Sequence, residues 1–343
     1  ASGRVGRPGH RPLAELSGAL ALAGLSAFAT NHLFRFMPYW YVDLYAAFDG
    51  HDSFIFVAQA MLAALVMTPT TFCIGLVFPL AIAAVLDRPG AVGRSVGMLY
   101  VGNTLGAVVG AVGAGFVLIP WIGIQNSLLL AVLLDFALAA VVLAVRVLPT
   151  RRRVAGFGAL AALALAASLI RPPWDPLLMS AGMYKYVSDL ADYSHESVRN
   201  FAFSDFELLY YAEGITSVVT VARSLGSGNI WLANNGKVDA STDSDLRTQV
   251  LLGHLPFLYK DDARTALVVG LASGITAGSA LLEEGLESLD ILEIEPAVVQ
   301  ASHYFDLHNG RPLDDPRTTM ITNDARNHLV LTDRTYDVII NEP

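Results

Sequence analysis

Long uninterrupted apolar runs constrain this chain more than anything else in it. A helix that crosses a bilayer needs about 20 predominantly apolar residues, and residues 13–30, 54–86, 96–119 and 125–145 meet that length. Residues 154–170, rich in Ala, stand at the short end. Pro69 and Pro79 interrupt the second run, which predicts a kinked or partly re-entrant helix. The third carries Gly97, Gly102, Gly106, Gly110 and Gly113, a spacing that lets helices approach closely in lipid. Glu15, Asn103 and Asp135 are among the polar groups that fall inside the runs. An acid there is either functional or a hydrogen-bonded structural group of the bundle. The expectation is an N-terminal α-helical transmembrane bundle of four or five spans over residues 1–170. That makes the chain a multi-pass integral protein of a bacterial-type plasma membrane, with the lipid bilayer as its first partner.

Charge divides the chain at the same place. Residues 1–170 hold 10 Arg, no Lys and 6 acids, a net of +4, whereas residues 171–343 hold 12 Lys and Arg against 25 acids, a net of −13. The basic residues Arg4, Arg7, Arg11, Arg88, Arg94, Arg146 and Arg151–Arg153 cluster at run ends, which places those ends in the cytoplasm. Whether residues 154–170 cross then decides the side of the remaining domain, and the charge count leaves both sides open. The acidic half argues against nucleic acid as a partner, since that needs basic patches. It suits a cationic ligand, or a merely solvated surface. The single cysteine, Cys73, allows no intrachain disulfide. The chain starts at Ala1 and ends at Pro343 directly after a strand-like run, so both ends read as cut and the last domain as truncated.

Beyond residue 170 the pattern changes. Residues 171–206 read as a linker. Residues 207–243 alternate in strand fashion around a Gly/Ser turn at 224–229 and residues 246–259 read as a helix, so residues 207–260 are expected to form a small β-hairpin region with a connecting helix. Residues 261–343 alternate cleanly: strands over 265–269, 288–293, 318–322 and 336–341, with helices over 275–282, 296–305 and 326–331 between them. A βαβαβαβ order predicts a doubly wound parallel sheet, a C-terminal α/β Rossmann-like domain of the S-adenosylmethionine-dependent methyltransferase type.

The run from Val269 to Ile275, VGLASGI, sits where the first strand hands over to the first helix, and Gly270 and Gly274 allow a tight turn and a close ligand approach. Glu293 ends the second strand, at the spacing from the glycine loop where an acid binds ribose hydroxyls in nucleotide-binding folds. Asp324 follows the third strand and Glu342 the fourth. Each acid alone could be a helix cap or a solvated loop residue. Together they mark one rim of the sheet, the rim where open α/β sheets bind ligands.

These residues, with GKVDAST from Gly236, LGHLP from Leu252, LEIE from Leu292, DARN from Asp324 and YDVII from Tyr336, resemble the polyamine aminopropyltransferase (spermidine synthase) family. Phe78-Pro79 and the segment from Tyr100 to Gly106 resemble its membrane-fused branch. The resemblance implies transfer of an aminopropyl group from decarboxylated S-adenosylmethionine to putrescine or a similar amine, with no metal. It makes Glu342 the catalytic acid that holds and deprotonates the amine. Gly270, Ser273, Gly274, Glu293 and Asp324 become the donor-binding residues, Asp239 and Gln249 substrate contacts, and a homo-oligomer the expected assembly.

The departures are specific. Ser273 stands where the family carries an Asp that grips the donor's amine, and Glu342 is one methylene longer than the family's Asp. Asp239 replaces a Gln. Asp245, Thr248 and Gln249 precede His254 where the family has acids, Tyr and His. His254 itself reads as structural. Two rival expectations follow: another S-adenosylmethionine-dependent transferase on the same scaffold, or a transporter or sensor whose domain binds a nucleoside or polyamine.

Overall fold

The computed structural model describes residues 10–48, 52–85, 92–145, 149–172 and 174–342. Arg4, Arg7, Arg88 and Arg146, used above to orient the membrane half, lie outside the described residues. The chain divides into two compact units that meet at Trp174 and Asp175.

The first unit is helical: α1 (His10–Leu33), α2 (Met37–Ala47), α3 (Asp52–Val85), α4 (Val92–Gly113), α5 (Ile119–Ala144) and α6 (Thr150–Leu169). Among the described residues, four segments are long and apolar enough to cross a membrane: Pro12–Ala47, Phe54–Val85, Gly93–Ala144 and Thr150–Leu169. The third joins two of the runs read from sequence. A π-helical turn at Ala114–Leu118 links α4 to α5, and Gly123 breaks the helix with φ 82°. Residues 37–47, which lie outside the apolar runs read from sequence, form α2, entered through Pro38 in its first turn.

Helix α1 packs against α3 and α5, and α5 against α6. Their buried core includes Leu20, Val132, Phe136, Ala139 and Leu160. At Gly24 the helices come so close that a Cβ would lie 2.9 Å from the Phe136 ring, beside Asp135. Interhelical hydroxyl bonds reinforce the contact: Ser17 donates to the Ala139 carbonyl at 2.9 Å, and Ser26 pairs with Thr70 at 2.8 Å. Helix α3 is continuous through Pro69 and Pro79, so of the two alternatives read above, kinked or partly re-entrant, the second does not hold. In the turn before Pro69, Thr30 donates to the Val66 carbonyl at 3.1 Å, a further bond between α1 and α3. The glycine stripe of α4 was expected to pack against another helix. Among the described residues nothing comes within 4 Å of a Cβ built at Gly97, Gly102, Gly106, Gly110 or Gly113. Close packing falls instead to Gly24 and Gly156, the latter against Leu143.

The second unit opens with a compact cap where a linker was expected. Helix α7 (Pro176–Met179) is capped by the Asp175 carboxylate, which accepts from Leu177 N at 3.0 Å. Helix α8 (Met183–Tyr186) follows, and α9 (His195–Phe203) is capped by Ser194. The hairpin reading is likewise too small. Strands β1 (Phe206–Glu213), β2 (Val218–Ser224), β3 (Ile230–Asn234) and β4 (Lys237–Ser241) form a four-stranded antiparallel meander in that order. Its inner face, with Val219, Val221 and Leu232 fully buried, joins the core of the parallel sheet.

Helix α10 (Leu246–Tyr259) leads into that sheet: β5 (Thr265–Val269), α11 (Ile275–Ala280), β6 (Ser288–Glu293), α12 (Pro296–Ser302), α13 (Asp306–Asn309), β7 (Thr318–Thr322), α14 (Ala325–Leu331) and β8 (Val338–Asn341). The strands are all parallel, in order β7-β6-β5-β8. The chain winds outward from β5 to β7 and then returns to the other side of β5, so the order reverses at β5. Strands β5 and β6 are near-continuous apolar runs because helices cover a parallel sheet on both faces. Burying a side chain such as Leu267, Leu289 or Ile291 stabilises the fold by about 1.5–3 kcal/mol. One acid interrupts β6: buried Asp290 accepts from Arg334 at 2.5 Å and from Tyr336 at 2.7 Å, which ties the turn before β8 into the sheet.

Helix α11 meets α13 at Gly278, where a Cβ would lie 1.8 Å from the Asn309 carbonyl oxygen. The obstacle is backbone and cannot swing aside. Gly278→Ala should destabilise the unit by about 1–3 kcal/mol, and Gly226→Ala, with open space around it, by less than about 0.5 kcal/mol. Denaturant melts of the full chain with Trp40, Trp121 and Trp174 replaced by Phe, followed at Trp231, check this; equal midpoints for the two variants would contradict it.

Candidate functional site at the sheet rim

The parallel ladders end together. Gly270 N donates to the Leu292 carbonyl, Asn323 N to the Glu293 carbonyl and Glu342 N to the Val269 carbonyl, each one step beyond a strand. Side chains just past those steps therefore stand on one rim. A cleft of about 410 Å³ opens there, lined by Gly270, Glu293, Asp324 and Glu342 on one side and by Thr216, Lys237 and Asp239 of the meander on the other.

The loop after β5 turns sharply. Gly270, Ala272 and Gly274 all have positive φ, at 92°, 43° and 78°. Glycine takes this conformation freely, whereas at Ala272 it costs roughly 1–2 kcal/mol. Gly270 and Ala272 line the cleft. Gly274 does not: it packs against Asn309 and Pro312. Ser273 is fully buried, its hydroxyl bonded to Gln249 and to the Ile275 amide. Gln249 is also buried and donates to the Ser241 carbonyl at 3.0 Å. Ser273, Gly274 and Gln249, proposed from sequence as ligand contacts, thus hold the loop from behind. The neutral side chains of Ser273 and Gln249 are both buried and bonded to each other behind the loop.

The acids differ in their surroundings. Glu293 accepts from Leu271 N at 3.1 Å with one oxygen and from Glu295 N at 2.9 Å with the other. Each oxygen keeps a lone pair for a ligand hydroxyl. Asp324 caps α14 by accepting from Asn327 N at 2.8 Å. Asp239 is held by Asn234 at 2.9 Å and Lys237 at 2.6 Å, so a cation already stands on the meander side of the cleft. Glu342 accepts a hydrogen bond from Thr276. Burial raises its pKa, partly offset by the Thr276 bond and reinforced by the charge of Asp245. His254 is 2.7 Å from Glu283 and is not among the residues lining the cleft.

Sequence reasoning placed Glu295 in a motif without giving it a role. It is buried, caps α12 through Ala297 N at 3.1 Å, and accepts from Thr216 N at 2.7 Å and the Thr216 hydroxyl at 2.9 Å. One carboxylate therefore fixes the loop between β1 and β2 as the far wall of the cleft. An acid directly before Pro296 at a helix start was the available signal.

Two substitutions should act with opposite sign. Glu295→Ala strands buried N–H donors and should destabilise by about 1–3 kcal/mol. Glu342 has a raised folded pKa, so its contribution to stability is greatest below the ordinary glutamate pKa and is lost as pH rises through the folded value. Glu342→Gln should therefore raise the melting temperature at pH 7 and leave it little changed at pH 4; a lower value at pH 7 would reverse the assignment.

Residues 246–342 match the family model of the spermine/spermidine synthase domain. The polyamine aminopropyltransferase of Serratia proteamaculans is 28% identical over 112 residues, which are 32% of this chain and 39% of that protein. The corresponding Klebsiella pneumoniae protein is 26% identical over 141 residues, 41% of this chain and 49% of its own. Spermidine synthase from Thermotoga maritima aligns in structure with a TM-score of 0.37 and 18% identity, covering 39% of this chain and 46% of that one. The chain thus spans less than half the length of these curated relatives. The segment that builds the rim, from Leu246 to Glu342, is the part of the chain that matches the spermine/spermidine synthase domain.

Proposed function

We propose that this protein is a membrane-anchored aminopropyltransferase of the spermidine synthase type, with putrescine or a similar amine as acceptor and decarboxylated S-adenosylmethionine as donor. The observation that carries the reading is the convergence of Glu293, Asp324 and Glu342 with the Gly270 loop on one cleft, inside a segment of that family. Glu293 would take the ribose hydroxyls on its free lone pairs, and Asp324 the adenine amino group. The acceptor must arrive as a free amine although alkylamines have a pKa near 10. Glu342 would hold it and accept its proton. The amine nitrogen bonds to the propyl carbon as the carbon–sulfur bond breaks, and methylthioadenosine departs as the neutral thioether. Alignment of nitrogen, carbon and sulfur supplies much of the rate.

Anchoring rests on length. The segment Gly93–Ala144 holds 52 residues, about 78 Å if helical throughout, against a hydrocarbon core of about 30 Å. With its break at Gly123 it is read as two crossings, which makes five with the other three segments.

Ser273 favours a second reading. The family's donor-gripping acid is replaced by a neutral hydroxyl sealed against Gln249, so the loop offers no charge that would reject the carboxylate of intact S-adenosylmethionine. Calorimetry with the decarboxylated donor, the intact donor and methylthioadenosine separates the two: preference for the intact donor would support a different transferase.

Glu342→Gln should lower methylthioadenosine release with putrescine by about 100-fold or more, the range of a lost general base. Because burial raises the Glu342 pKa, the wild-type rate should climb with pH through a midpoint above the ordinary glutamate range. Unchanged turnover in the variant would remove Glu342 from the mechanism.

A further inference from the structure

The cap that replaces the expected linker encloses a second cavity. Helices α7 to α9 lie over the outer face of the antiparallel meander, fastened by Thr220 donating to Ser180 at 2.8 Å and by Val238 N donating to the Tyr186 hydroxyl at 2.9 Å. Between cap and sheet lies a pocket of about 340 Å³. Strand alternation separates it from the core: Trp231 lines the pocket, while its neighbours Ile230 and Leu232 point into the core shared with the parallel sheet.

Four half-buried aromatic rings line it as two pairs. Tyr186 and Phe201 stack at 6.3 Å between centroids, and Phe206 meets Trp231 edge to face at 5.6 Å. Among the described lining residues Asp189 is the one charged group, and no Lys or Arg is present; Asn229 and serine hydroxyls supply the remaining polarity. Ring faces carry negative potential and attract cations, best where water is partly excluded. Rings and a single carboxylate select the same charge. The acidic balance of residues 171–343 adds a field of that sign. An anion would find no counter-charge, and a neutral ligand would leave the carboxylate unused.

We infer that this pocket between the cap and the meander binds an aliphatic ammonium compound, with the charged nitrogen among the aromatic rings and Asp189. It is a cavity distinct from the rim cleft, with Val238 as the wall they share, and the inference stands without the transferase reading.

Trp231 is the one tryptophan after Trp174, so it reports occupancy directly. With Trp40, Trp121 and Trp174 replaced by Phe in the full chain, putrescine and tetramethylammonium should quench Trp231 fluorescence saturably, and 1,4-butanediol, equal in length to putrescine and uncharged, should not. Asp189→Asn, an exposed position that leaves the fold intact, should weaken binding by about tenfold and leave methylthioadenosine release unchanged. Glu342→Gln should leave the quenching unchanged. If butanediol quenches equally, or if Glu342→Gln abolishes the signal while Asp189→Asn spares it, the assignment is overturned. Failure of the transferase assay alone leaves the Trp231 result standing.

Discussion

The common ending of four parallel strands is the constraint from which the site follows. Once β5 pairs with β6 and β8, the backbone fixes where each strand's last carbonyl lies, and the next residue of each must step onto the same rim. Glu293, Asp324 and Glu342 come together through hydrogen-bond register, although 49 residues separate the first from the last. A slip of one residue in any strand would turn its acid to the other face. The buried Asp290 bonds to Arg334 and Tyr336 guard against such a slip next to β8, and the Glu295 bonds hold the opposite wall.

Stability and chemistry pull against each other at two places on this rim. Glu342 sits where burial disfavours its charge, and Ala272 adopts a backbone conformation that suits glycine better. Groups strained in this way persist where the surrounding structure over-determines them. Here the surroundings are the fully buried β5 and β6 side chains and the glycine-tight seam between α11 and α13.

Much of this was legible in the residues. The βαβ alternation and the three strand-end acids announced themselves through period and spacing, since buried parallel strands are short apolar runs and the rim acids follow them directly. The cap was not legible. Helices α7 and α8 are four residues each, too short for any helical period to show. The meander was read as a hairpin because β1 follows the cap without a turn signal, and β4 carries Lys237 and Asp239, which look like loop residues but face the cleft. The orientation of Ser273 was equally hidden: its pairing with Gln249 joins positions 24 residues apart, and neither residue type declares a buried partner. In the helical half, length and apolarity were sufficient for the long helices but not for the 11-residue α2, and the choice of Gly24 and Gly156 over the α4 glycines as contact points depends on which helices become neighbours.

Strand β8 stands last in the order β7-β6-β5-β8. Its outer backbone groups face away from β5, and Ile339 is half exposed on it. Open strand margins of this kind recruit other strands. Whatever segment zips onto this one, from the same polypeptide or a neighbouring copy, would arrive beside Glu342 and build a new wall for the cleft there.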